Sequence, residues 1–135
     1  MPSSNFYRAE IANGTFRTAL FSKPLALYVA LFNVTPDESG GGTEVSGNGY
    51  ARVQVDPSDA NWDMNTDGII TNKLAISFPD PVSNDDWGVV NGCAIFDAAS
   101  GGNMYVFNDL TTPIDVPGFG PGPLFNAGVL KITFQ

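Results

Sequence analysis

The sequence contains no histidine, one cysteine and only six basic residues among 135. Each shortage excludes a class of function. Without histidine there is no Ser-His-Asp triad, no imidazole base and no histidine metal ligand. Cys93 has no second cysteine to pair with and no imidazole to activate it. Within the apolar run "VVNGCAIF" it reads as a small core residue. Fourteen acidic residues against six basic ones give a net charge of -8. The basic surface that phosphate binding needs is missing, so nucleic acid is not an expected partner. The longest apolar run, "LALYVALF" from Leu25 to Phe32, falls far short of the roughly 20 residues that cross a bilayer. The first residues, "MPSSNFYRAEIANG", carry no signal-peptide apolar core. Neither a membrane partner nor secretion is expected.

What the chain does have is apolar mass and punctuation. Hydrophobic residues make up 43%, including ten Phe, and 15 Gly and ten Pro are spread along the chain. That composition supports a packed core cut by many turns. One helix is expected over residues 4–13, with Ser4 or Asn5 capping its start and Gly14 ending it. From residue 24 onward the patterns are those of strands. Ala26 to Phe32 is a continuous apolar run, which fits a strand buried on both faces. "YARVQV" alternates, with Ala51, Val53 and Val55 on one face and Arg52 and Gln54 on the other. "KLAISF" turns Leu74, Ile76 and Phe78 inward, and "GVLKITF" does the same with Leu130, Ile132 and Phe134. "VVNGCAIF" and "NMYVFNDL" are joined by the turn sequence "DAASGG", a hairpin pattern. "TPIDVP" resembles a short edge strand between prolines. The expected fold is one all-β domain over residues 1–135, an antiparallel β-sandwich of jelly-roll type. A short helix precedes its β core, which spans residues 24–135.

Few stretches carry chemistry. "DMNTDGIITNKL" places Asp63, Asn65, Asp67 and Gly68 at positions 1, 3, 5 and 6 of a calcium loop, but position 12 is Leu74 instead of a bidentate glutamate. Neither flank is helical, so a turn entering a strand is the reading. Weak calcium binding by Asp63, Asn65 and Asp67 is the alternative. Asp85 and Asp86 stand beside Trp87, but adjacent residues point apart in an extended segment, which disfavours glycosidase chemistry. Trp62 or Trp87 could offer a stacking platform to a sugar. The closely spaced glycines lack the lysine and helix of a phosphate loop. In "VPGFGPGPLF", stiff Pro/Gly junctions surround Phe119, and the segment either folds over its own core or projects an apolar ring toward a partner. Tyr7 and Arg8 in the helix, Arg52 on the polar face of its strand and Phe119 are the candidate interface residues.

Five segments occur in a telling order: "LYVALF" (Leu27 to Phe32), "EVSGNGYAR" (Glu44 to Arg52), "ISFP" (Ile76 to Pro79), "DWG" (Asp86 to Gly88) and "FDAASGGNMYV" (Phe96 to Val106). Together they resemble small virion proteins of tailed bacteriophages, of the tail-fibre-like or head-decoration kind. The resemblance spans nearly the whole chain. It transfers no catalytic residue and no cofactor. In related sequences the segment matching "DMNTDGIITN" looks shorter, so the Asp-rich version is a departure. The resemblance implies a non-enzymatic structural protein, made in the host cytoplasm and located on the virion. A fibre shaft would need heptads or β-repeats, and neither is present. The expectation is therefore a capsid decoration or cement protein on the capsid exterior. It would bind the major capsid protein and its own copies, as a homotrimer. A tail or tail-fibre component, or a carbohydrate-binding module for host attachment, is the alternative.

Overall fold

The two longest apolar runs of the chain pair with each other. In the computed structural model, which describes residues 1–133, helix α1 (Asn5–Phe16) precedes ten strands. These are β1 (Tyr28–Val34), β2 (Thr43–Glu44), β3 (Val53–Gln54), β4 (Trp62–Met64), β5 (Ile70–Asn72), β6 (Ile76–Ser77), β7 (Gly88–Phe96), β8 (Met104–Val116), β9 (Leu124–Phe125) and β10 (Lys131–Ile132). Strands β1 and β7 run antiparallel, with Leu31 opposite Cys93, and β8 continues the sheet beyond β7. On the other edge, β2 and β3 each pair with part of β1. A second sheet has the order β10-β5-β4, and β6 pairs with β9. All pairings among the described strands are antiparallel.

Residues 29–32 of β1 and 93–95 of β7 are apolar and buried at every position because both faces of the sheet are covered there. Val29, Leu31, Cys93 and Ile95 point into the main core, where they meet Ile76, Phe78, Phe125, Leu130 and Ile132 from the smaller sheets. Side chains of all three sheets thus share one core, the arrangement of a sandwich. The sheets hold five, three and two strands, where a jelly roll has two sheets of four. On the opposite face Ala30, Phe32, Ala94 and Met104 form a smaller cluster, with Phe96 and Phe107 against it. The β7–β8 hairpin forms as expected. Its turn is held by Asp97, whose two carboxylate oxygens accept from the backbone N–H and side-chain amide of Asn103, at 2.8 and 3.0 Å.

Several boundaries differ from the sequence expectation, each for a local reason. Ser4 does cap the helix, its hydroxyl oxygen accepting from the Tyr7 N–H at 3.1 Å. Gly14, however, lies inside the helix, not at its end. A Cβ there would stand 2.9 Å from the Cβ of Phe21, so the missing side chain admits the returning chain. The segment "TPIDVP" belongs to the long strand β8. Its Pro113 falls in a ladder interruption, since Val90 pairs with Ile114 but Gly92 pairs with Asp109. The absent N–H therefore costs no ladder bond. Of "KLAISF", Ile76 and Phe78 are buried but Leu74 is exposed; its carbonyl accepts from the Asn72 side-chain amide. Leu130 and Ile132 are buried; Phe134 lies outside the described residues.

Candidate functional site

Two surface features and one interior lock account for the candidate residues. The first feature is the Pro/Gly loop between β8 and β9. Asp86 accepts a hydrogen bond from the Gly118 N–H and Asp80 one from the Gly122 N–H, both at 2.7 Å. The Phe119 N–H donates to the Ser83 carbonyl at 3.0 Å. The contact is so close that a Cβ on Gly118 or Gly122 would come within 2.2 Å of a backbone oxygen of Asn84 or Pro79. Glycine is therefore required at both positions. Between them Phe119 adopts φ 54°, a left-handed conformation that costs a side-chain-bearing residue about 1 kcal/mol. Its ring remains 67% exposed. The loop is thus pinned at both shoulders and holds an aromatic ring in water. Asp85 takes another direction, accepting from the Asn48 side chain, so the two neighbouring carboxylates do not converge.

The second feature is the N-terminal arm. Helix α1 buries none of its residues. It touches the main sheet through Phe6 and Tyr7, whose rings lie edge-on to Tyr105 at 5.4 and 5.1 Å between centroids. Burial raises the Tyr7 hydroxyl above its ordinary pKa, so this candidate is partly engaged within its own fold. Arg8 is exposed and pairs with Glu38 at 2.5 Å. Beyond the helix, residues 17–27 fold back along it, with Phe21 against Tyr7. Phe16, Leu20 and Leu25 are 85%, 91% and 96% exposed. Beside the arm opens a mostly apolar groove of about 450 Å³. Phe21 and Leu27 form its arm side, Trp62, Met64 and Ile70 the opposite wall, and Asp59 lies at its lining as well.

The interior lock corrects one expectation. Arg52 does not reach outward from the sheet, and its side chain is only 6% exposed. Its guanidinium forms a two-pronged pair with Glu44 (2.9 and 2.8 Å) and donates to the carbonyls of Ala98 and Gly101. It also lies 3.9 Å over the ring of Phe96, a cation–π contact. The Tyr50 hydroxyl donates to Glu44 at 2.7 Å and accepts from the Leu31 N–H. Burial opposes the Glu44 charge, but the bonds from Arg52 and Tyr50 outweigh it and hold the carboxyl below its usual range. Every donor of this group is directed inward because β1, β2 and the β7–β8 turn converge there. Arg52 therefore organises the fold.

Trp87 is likewise internal. It is buried, its indole N–H donates to the Asn48 carbonyl, and its ring is edge-on to Tyr50. That burial removes it as a sugar platform. Trp62 keeps one face toward the groove. Cys93 is buried, which pushes its thiol up to about 12, consistent with a core residue.

The aspartate-rich stretch forms the β4–β5 hairpin. The Asn65 side-chain oxygen accepts from the N–H groups of Asp67 and Ile69, and Gly68 takes φ 78°. Asp63 pairs with Lys73 at 3.5 Å. Asn65, one of the three calcium candidates, thus already uses its side-chain oxygen to shape the turn. One residue in this stretch escaped the sequence reading. Asn72 is buried, accepts from the Leu130 N–H, and donates to the carbonyls of Leu74 and Asn126. It joins β5 to the closing loop. A polar residue at the end of a β-branched run was its only trace.

Comparison with known proteins identifies a family. The model of a family described as podophage GP4 fiber I protein gp80 matches residues 2–133. No curated protein matches the chain.

Proposed function

The chain belongs to this phage fibre-protein family, and from that premise we propose that it is a non-enzymatic structural subunit of a tail fibre, built with other copies of itself. The family match over nearly the whole chain carries the reading, because the family is that of a fibre protein. It favours the tail-fibre alternative over the shell decoration expected from sequence. Two structural features support a subunit that works through contacts. One is the ring of Phe119, held in water by a pinned loop at some conformational expense. The other is the arm, which exposes three large apolar side chains in succession. A small β domain without heptads or repeats supplies little length by itself, so a fibre made with it needs several copies or further chains.

Gold-labelled antibody against the purified chain, applied to intact virions, tests the assignment. Label on the thin appendages of the tail is the expected result. Label spread over the head shell would overturn the fibre reading and restore decoration.

A further inference from the structure

We propose that the end of the domain carrying Phe119 docks on another protein chain whose contacting surface is basic. The inference rests on the proposed role as a fibre subunit and names the kind of chain that this face meets. Among the described residues Phe119 is the one non-glycine with a positive φ, and strain of this kind persists only where the surroundings impose it. Here they hold a ring in water. Gly118, Phe119 and Gly122 all donate their N–H groups to the loop of residues 80–86, through Asp86, the Ser83 carbonyl and Asp80. In that loop Val82, next to Ser83, is also largely exposed. The face is pinned before any partner arrives, so docking orders little of it.

Charge indicates the chemistry of the partner. Residues 74–130 hold Asp80, Asp85, Asp86, Asp97, Asp109 and Asp115 and no lysine or arginine. The first three stand exposed in the loop that clamps Phe119, and none of them belongs to an ion pair among the described residues. Such a face repels nucleic acid and other polyanions. It also disfavours a second copy of the chain. The net charge is -8, and of the six basic residues Arg8, Arg52 and Lys73 already pair with Glu38, Glu44 and Asp63. A surface bearing arginine or lysine fits instead. Its cations meet the aspartates, and the Phe119 ring lies against a guanidinium or the apolar stem beneath a charge.

Photocrosslinking in intact virions tests the proposal. Phe119 is replaced by photoreactive p-benzoylphenylalanine, particles that contain the altered chain are irradiated, and the attached peptide is identified by mass spectrometry. The expected peptide comes from a different chain, and lysine and arginine outnumber aspartate and glutamate around its attachment site. Two further variants carry the same change in net charge. Asp85→Lys, in the clamping loop, should lower the adduct yield several-fold with the melting temperature of the subunit unchanged. Asp67→Lys, in the β4–β5 turn, should leave the yield as it was. A peptide from this same chain, an acidic attachment site or no adduct overturns the proposal, and so does an equal effect of the two lysine variants. The peptide is read whether antibody label falls on tail or head, so this proposal and the fibre assignment fail separately.

Discussion

Arg52 and the N-terminal arm reverse the roles that their residue types suggest. Arg52 is a charged residue in an alternating strand, yet it is enclosed by Glu44, two carbonyls and a ring. The arm is rich in Phe and Leu, yet much of it faces water. The difference lies in what each side chain finds nearby. The guanidinium finds fixed acceptors for four of its five N–H donors, which offsets its desolvation. Leu20 and Leu25 of the arm find no core, whereas Leu27 packs against it. Polarity alone therefore does not sort this chain into inside and outside.

The comparison predicts that changes in the interior corner act on the subunit, and changes at the arm and loop act on assembly. The largest effect is expected at Trp87. Trp87→Ala should lower subunit stability by about 4 kcal/mol in denaturant unfolding, since it empties a packed site and releases the Asn48 carbonyl. A loss below about 1 kcal/mol would mean that the corner is not the anchor described.

Arg52→Ala should cost about 3 kcal/mol in the same measurement, because it leaves Glu44 charged and partly buried without its partner. The comparison breaks if this variant unfolds like wild type and only its self-association suffers.

The same corner has a pH signature. Glu44 titrates below its ordinary 4.5 in the folded chain. Its contribution is thus fully present above the unfolded pKa and is lost as pH falls through the lower folded value. As pH falls below 4.5, Glu44→Gln should show a flatter stability profile than wild type. Parallel profiles would remove Glu44 as a source of acid sensitivity.

The smallest subunit effect belongs to Phe119. Its exposed ring makes Phe119→Ala worth no more than about 0.5 kcal/mol in unfolding, while incorporation into virions should fall. Loss of stability without loss of incorporation would make the ring a piece of local packing.

How much of this was legible in the sequence depends on the range of the cause. Strand β1 was legible because burial on both faces leaves an unbroken apolar run. The β7–β8 hairpin was legible because its turn residues are local. Exposure of Phe119 was one of the two readings its Pro/Gly neighbours allowed. The clamps that hold it did not, since Asp86 and Asp80 lie 32 and 42 residues from their partners in sequence. Arg52 was misplaced because alternation separates two faces without saying which of them a loop and a carboxylate will cover. The role of Gly14 was hidden for a similar reason: close approach by Phe21 is a tertiary event. Within the aspartate-rich stretch, the turn was legible from Asp-Gly, but the weld made by Asn72 depends on Leu130 and Asn126.

The most direct test of the central claim is a density map of the parent virion detailed enough to place the β-layers of this chain. The prediction is density for the chain in a tail fibre. Density for the chain on the capsid shell would contradict the fibre assignment.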